Sequence, residues 1–530
     1  MRLFWVSILL ATAAFVCSAM VIDPGYANSG LLPGPGVTLD EPINLNQSLF
    51  LADAIGQHGP LLFSPTVARE VFGSDDYMSD YPPLGRTISG LSHQFFSGWF
   101  PGVEQSPVCL PAARMGSCLA FGFCVFIVFR CVLRGDGFAT AMTAAVGLIL
   151  FPQFIGHARL ANVDMTTAVT WFLASAAICR WWLDESAPRT HHSLISGVAW
   201  GMLMLTKMQG LLFPPVLVIW AFWRFRSGAI RPLISFGIAG GMTFFCLWPW
   251  LWLDPIAHVK AYLGTASERQ TIYVWYLGER FADRDVPWHY SFIMLFAATP
   301  LYVVPGLLKQ CIVRDWNRMD GWLLMSSVWP LVVFALPGVP VYDGIRLYLC
   351  VVPGMVILSA RGLCRKSRST LLDRGAWTIS AAGIILTLSF ADPFSPFAVN
   401  QYSELIGRGS GAASLGMESD FWADAMNGPF WEQVPEDSTI YVAPVLHRIQ
   451  LSGAELMTPM ISQRRIRLVP FEYDPRQQKG LLLSIHRLAD LRMSLRDIPD
   501  GGRMIAEVRH DGVVLARLID TTYATWQETP

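Results

Sequence analysis

The chain has 530 residues, of which 53% are hydrophobic and only 15% charged, and its mean hydropathy is +0.40. So apolar a composition excludes an ordinary soluble globule and indicates a polytopic membrane protein. The formal net charge of −1 says little about partners, because the useful signal lies in which loops carry the arginines; no nucleic-acid partner is expected.

Arg2 followed by LFWVSILLATAAFVCSAMVI supplies about twenty apolar residues, enough to cross a hydrocarbon core of roughly 30 Å. A cleaved signal peptide is the alternative reading of this segment, and an uncleaved first span is the one adopted. Residues 23–110 form a polar stretch with nine acidic residues against Arg69 and Arg86, which places them outside the cytoplasm by the positive-inside rule. Amphipathic spacing around 45–55 and 88–100 predicts helices lying in the headgroup layer, and Pro82–Pro83 between them sets a turn.

Further apolar runs at about 114–133, 138–156, 165–183, 194–206, 209–223, 232–253, 289–308, 321–337, 346–361 and 375–391 bring the expected spans to eleven. Alternating them gathers Arg130/Arg134, Arg180/Arg189, Arg224/Arg226/Arg231, Lys309/Arg314/Arg318 and Arg361/Arg365/Lys366/Arg368/Arg374 on one face, the cytoplasmic one. The pair at 194–223 is the weakest point of the count, because Lys207 interrupts it. Residues 1–391 are therefore expected to form a membrane bundle that includes the loop 23–110. From 392 to 530 the composition is that of a soluble extracytoplasmic α/β domain: STIYVAPVL, RIRLVPFEY, KGLLLSI and a hairpin about Asp511–Gly512 read as strands, and HRLADLRMSL as a helix. Of ten cysteines nine lie in or beside apolar runs, and no metal-binding Cys/His spacing occurs.

Ionisable residues within membrane segments are costly and mark function. On the expected outer face they come from four places: Asp40, Glu41 and Asp80 in the first loop; His157, Arg159 and Asp164 in GHARLANVDM; Lys207; and Asp343 and Arg346 in PVYDGIRLYL. The segment TIYVWYLGERFADRDVPWHY at 271–290 reads as an interfacial belt or substrate loop, and WPWLWLD at 248–254 as an aromatic belt. Each residue has a plainer reading: Asp40 and Glu41 as helix-start residues, Asp164 as an N-cap, the cations as groups snorkelling to headgroups, Asp80 and Tyr81 as turn residues, and His93, His157 and His289 as interfacial hydrogen bonders.

The order and loop placement of six short motifs resemble the lipid-phosphate-sugar-dependent glycosyltransferases with the GT-C fold, family 39, which includes protein O-mannosyltransferases and lipid A aminoarabinose transferases. The motifs are the Asp40–Glu41 pair, YPPLG at 81–85, ARLANVD ending at Asp164, Thr206–Lys207, PWHY at 287–290 and YDGIRLYL at 342–349; SELIGRGSGAASLGMESDFW at 403–422 is similar to a bacterial branch. Tyr81 stands where histidine is common in the family. The resemblance implies an all-α GT-C-like bundle and inverting transfer of a sugar from a polyprenyl phosphate to a hydroxyl of a protein, lipid or glycan, in a bacterial plasma membrane. It implies Asp40 as base, Glu41 and Asp164 as catalytic positioning groups with Asp164 orienting the acceptor or holding Arg159, and Arg159, Lys207, Arg346, Tyr81 and His289 as substrate contacts. No cofactor and no metal are expected, although paired carboxylates can attract a divalent cation. A transporter with an interfacial ionic site is the alternative; it predicts ionisable groups in mid-span and broken helices near the centre.

Overall fold

A computed structural model of the chain describes residues 2–525 except 24, 26–31, 101–106, 185, 269, 391–393, 445–446 and 473–478. Helices dominate: α1 (Arg2–Ala19), α2 (Glu41–His58), α3 (Pro65–Phe72), α4 (Pro83–Phe96), α5 (Leu110–Ile149), α6 (Pro152–His157), α7 (Val163–Trp181), α8 (Thr190–Met204), α9 (Phe213–Phe225), α10 (Ile230–Cys246), α11 (Trp250–Leu253), α12 (Pro255–Glu268), α13 (Tyr290–Ala298), α14 (Val304–Val313), α15 (Arg318–Phe334), α16 (Val352–Cys364) and α17 (Thr370–Phe390). Four helical stretches among the described residues are long and apolar enough to cross a membrane unaided: Leu110–Ile149, Met208–Cys246, Arg346–Cys364 and Thr370–Ser389. Leu3–Ala19 and Val304–Val313 are shorter apolar helices.

Interruptions set where several of the apolar runs divide. Gly137 breaks α5 with φ 83°, a conformation that glycine adopts at little cost. The run at 289–308 divides at Thr299, between α13 and α14, and Pro214 and Pro215 start α9 after the turn that carries Lys207. The helices pack as membrane helices do, through small residues. A Cβ on Gly197 of α8 would stand 2.3 Å from the Phe236 carbonyl of α10, and one on Gly201 would stand 2.7 Å from the Gly240 carbonyl. The backbones can approach that closely only without side chains. On its other side α10 presents Ile234, Ile238 and Met242, spaced by four residues and each more than half exposed, as an apolar stripe.

The two amphipathic segments of the first loop are helices, α2 and α4, and they cross where Gly90 leaves no room for a Cβ against the Ser48 carbonyl. The boundary expected at 391/392 falls outside the described residues. Beyond it, Val399, Tyr402, Met417, Phe421 and Trp422 pack into the main helical core, whereas Ala423, Phe430, Ile440, Leu483 and Leu518 share a second core built on the C-terminal sheet.

That sheet contains every expected strand. A first hairpin in the chain pairs β1 (Tyr273–Tyr276) with β2 (Glu279–Ala282); β3 (Thr439–Ala443), β4 (Arg467–Pro470), β5 (Leu481–Ile485), β6 (Arg503–His510) and β7 (Val513–Asp520) then form a mixed sheet in the order β4-β3-β5-β7-β6. The helix expected over 486–495 is absent, and only Met493–Leu495 makes a short 3-10 turn. His486 instead donates its backbone N–H to the Leu515 carbonyl, and Arg487 turns back onto the Ile485 carbonyl, so the chain leaves β5 as a tight bend.

Candidate functional site

Asp40 and Glu41 are neighbours whose side chains part. Glu41 is fully buried and accepts from Arg114 Nε and Nη2 at 2.8 and 2.7 Å, Thr38 N and Oγ1 at 3.0 and 3.1 Å, and Ala161 N at 2.8 Å. Arg114 in turn donates to the Pro35 and Gly36 carbonyls at 2.6 Å each. Glu41 is thus the buried clamp of the first loop, with no side-chain surface left for a substrate. Asp40 stands just before α2 yet makes no capping hydrogen bond; its carboxylate pairs with Arg346.

Arg346 is the centre of the cluster. Its guanidinium is 2.9 Å from Asp343 Oδ2 and 3.2 Å from Asp164 Oδ2, and it lies 4.4 Å above the Trp422 ring. Asp164 also takes Lys207 Nζ at 2.6 Å. Local sequence explains why these groups are free to meet. Asn162, rather than Asp164, caps α7 by accepting from Asp164 N at 3.1 Å, which leaves the Asp164 carboxylate for Lys207 and Arg346. Asp343 and Gly344 both take left-handed backbone, φ 54° and 66°, and turn the chain so that Arg346 faces the bundle. Lys207 lies in the break between α8 and α9, and the Leu84 N–H bonded to the Leu205 carbonyl at 2.9 Å ties that break to the YPPLG turn.

Tyr81 completes one wall, its ring 5.8 Å from Lys207 Nζ and 5.0 Å from the Arg86 guanidinium. Burial pushes its hydroxyl up to about 12, so it remains a hydrogen-bond donor at neutral pH. Burial alone would raise the Asp343 carboxyl; Arg487 and Arg346 outweigh it and hold that group below the usual carboxylate range. The cluster is largely enclosed, with side-chain exposures of 4% for Arg346, 4% for Lys207 and 1% for Asp164, whereas Asp40 keeps 31%. Asp40 is therefore the opening to a set of cations already dehydrated by the fold.

Of the sequence candidates, Asp40, Asp164, Lys207, Arg346 and Tyr81 are brought together. Arg159 is not: it is completely buried and donates to the Ser395 carbonyl at 2.9 Å, and Asp164 holds Lys207 and Arg346 instead. It does lie at the same end of the bundle as Asp40, since Ala161 two residues on binds Glu41. His289 bonds the Tyr276 hydroxyl at 2.8 Å, and is linked to the cluster through Tyr276, which packs on Tyr290, and Gly344 N, which donates to the Tyr290 hydroxyl at 3.2 Å. His157 sets its ring edge-on to Trp422 at 5.1 Å.

Arg114, Trp422 and Arg487 escaped sequence reasoning. Arg114 heads an apolar run on the acidic loop's side, a signal that could have paired it with Glu41. Arg487 comes from the C-terminal sheet, where no periodicity points to a site. Among the described residues no group of three His, Cys, Asp or Glu side chains is arranged to hold a metal ion.

Comparison with known proteins agrees with this architecture. Residues 108–252 match the family described as dolichyl-phosphate-mannose-protein mannosyltransferase. The fold is similar to that of ArnT from Cupriavidus metallidurans, solved bound to undecaprenyl phosphate, at 14% identity and a TM-score of 0.50 over 99% of each chain; the apo form gives the same values. The archaeal oligosaccharyltransferase AglB from Archaeoglobus fulgidus aligns over 90% of this chain and 69% of its own, at 11% identity and a TM-score of 0.46. No curated protein sequence matches the chain. The family match is confined to residues 108–252, and over the rest of the chain the likeness to the ArnT structure is one of fold.

Proposed function

We propose that the cluster around Arg346 transfers a sugar from a polyprenyl phosphate to an acceptor hydroxyl in a single inverting displacement. The observation that carries this reading is the arrangement itself: one accessible carboxylate, Asp40, beside two enclosed cations, Lys207 and Arg346. The acceptor O–H loses its proton to Asp40 as its oxygen bonds the anomeric carbon. The bond from that carbon to the phosphate oxygen breaks on the opposite side. Lys207 and Arg346 stabilise the charge that collects on the departing phosphate, and do so strongly because water is largely excluded around them. Arg346 offers a fork of donors to phosphate oxygens and Lys207 a point charge, while Tyr81 adds a neutral donor. To receive the phosphate Arg346 exchanges its bond to Asp40, and that exchange releases the base at the moment it is needed. Asp164 keeps both cations aimed. The undecaprenyl phosphate named for the Cupriavidus protein belongs to the lipid class this site suits, and a protein, lipid or glycan hydroxyl serves as acceptor. No metal takes part in this reading.

In the same reading the eleven apolar runs are all spans, some of them broken, and the cluster and the sheet domain face away from the cytoplasm. Arg361, paired with Asp136 and Asp320 at 2.6 Å each, marks the cytoplasmic end, fifteen residues or about 22 Å of helix from Arg346. Protease protection of the sheet domain in sealed inside-out and right-side-out vesicles tests the orientation.

The activity is tested with purified protein, a panel of labelled polyprenyl-phosphate sugars, and Asp40→Asn beside the wild type. The wild type should release sugar from at least one donor, and the variant should be slower by about 10²–10⁴-fold, the usual worth of a positioned base. Inertness of the wild type toward every donor, or an equally active variant, would overturn the assignment.

A further inference from the structure

We propose that Arg487, carried by the C-terminal sheet domain, is a positioning residue of the transfer site: it fixes Asp343, and through Asp343 the guanidinium of Arg346. The inference rests on the reading of Arg346 as the phosphate contact and adds a partner from outside the helical bundle.

The geometry is that of one carboxylate shared between two domains. Asp343 Oδ1 accepts from Arg487 Nη1 at 3.0 Å, while Oδ2 accepts from Arg346 Nη1 at 2.9 Å and from Trp422 Nε1 at 3.0 Å. Arg487 is itself buried and bonded on several sides. Its Nε donates to Asp490 Oδ2 at 2.7 Å, its guanidinium also bonds the Phe421 carbonyl, and its backbone folds back on Ile485 at the end of β5. None of the three linked side chains, Arg487, Asp343 and Arg346, exceeds 7% exposure. The Trp422 ring supports Arg346 from below while its indole N–H holds the same carboxylate.

The consequence is electrostatic. With Arg487 present, Asp343 divides its charge between two guanidiniums, and Arg346 keeps donors for Asp164, Asp40 and an incoming phosphate. Without Arg487 the whole charge of Asp343 falls on Arg346, draws the guanidinium toward the 342–346 turn, and competes with phosphate for the same hydrogen bonds. Arg487 bonds Asp343, Asp490 and the Phe421 carbonyl, so its influence on substrate passes through Asp343. The C-terminal domain thus completes the transfer site.

A double-mutant cycle read by equilibrium binding of undecaprenyl phosphate to the full-length protein tests this. Arg487→Ala should weaken binding about tenfold in the otherwise wild-type protein, as expected for losing one charge-assisted contact's worth of orientation. In an Asp343→Asn background, where asparagine also tolerates the left-handed backbone, the same change should weaken binding less than about twofold. A purely structural Arg487 would lower affinity equally in both backgrounds, and that result, or no loss in either, overturns the inference. If the alanine variant loses cooperative melting in detergent, Arg487→Lys is carried through the same cycle and judged by the same two results. Arg346→Ala separates the two levels of argument: if it leaves undecaprenyl phosphate binding unchanged, the proposed function itself fails, whereas weakened binding there with an unaffected Arg487 variant removes only the present inference.

Discussion

Asp40 and Glu41 show how little adjacency in sequence says about shared work. As a pair they read as one acidic feature, and the loop around them is legible as the start of the site. What the sequence does not hold is the direction of each side chain, which is set by Arg114 from α5 and Arg346 from a turn 306 residues away. Opposite outcomes follow for two conservative changes. Glu41→Gln leaves the buried Arg114 without its counter-charge and should cost about 3–5 kcal/mol, seen as a large fall in melting temperature. Asp40→Asn breaks a partly exposed pair and should cost no more than about 1 kcal/mol while slowing transfer by about 10²–10⁴-fold. Melting curves and activity measured on the same preparations check both; a stable but inactive Glu41 variant beside an unstable Asp40 variant would reverse the division of labour. Arg159 teaches the same lesson from the other side: its motif placed it at the right end of the bundle, and tertiary packing turned it onto Ser395.

At the scale of elements, patterns with a strong period were legible and bends were not. The alternating strands of the C-terminal sheet and the hairpin about Asp511–Gly512 could be read directly from their residues. HRLADLRMSL has helical spacing, yet the bonds that His486 and Arg487 make to the sheet outweigh a weak local preference. The β1–β2 hairpin was hidden because its tyrosines and tryptophan suggest a membrane belt, although Val274 and Tyr276 are buried with a period of two. This hairpin wedges between bundle and sheet domain: Arg280 donates to the Ala489 carbonyl at 2.5 Å, Arg496 lies over Trp275 at 4.5 Å, and Gly278 N donates to the Gly416 carbonyl at 2.9 Å. Gly416 has φ 73°, and a Cβ there would stand 2.2 Å from Gly278 N. Gly416→Ala should therefore loosen the wedge by about 1–3 kcal/mol. Faster amide hydrogen exchange across residues 273–282 and at Leu488 and Ala489, with the helices unaffected, is the expected signature; unchanged exchange there would mean the hairpin does not hold the domain.

For the whole molecule the decisive contact is between the sheet domain and the segment that follows the bundle, and it is built on a buried acid. Glu418 accepts from Leu488 N at 2.6 Å, Ala489 N at 2.9 Å and Ser419 N at 3.0 Å, so it fastens the bend that carries Arg487. Burial pushes its carboxyl up to about 8, more than the opposing pull of Arg487 and these three N–H groups. A carboxyl raised above its unfolded value holds a proton in the folded protein that the unfolded chain has released, so stability falls as pH rises between the two values. Asp424, also raised by burial, acts in the same direction. The buried His486 and His510, lowered to about 4, are neutral in the folded protein; in the unfolded chain they are half protonated at about pH 6.5 and neutral by about pH 7.5, so they oppose the slope only at the low end of the range. From pH 6.5 to 8 Glu418 alone should thus remove about 2 kcal/mol, one proton over one and a half units. Melting of the wild type across this window should fall steadily, and Glu418→Gln, which cannot lose the proton, should flatten the slope. A wild-type profile that is level, or one the glutamine variant reproduces, would show that the domain is fastened by other contacts. If the slope is present, undecaprenyl phosphate binding should decline along it, because undocking the sheet domain withdraws Arg487 from Asp343.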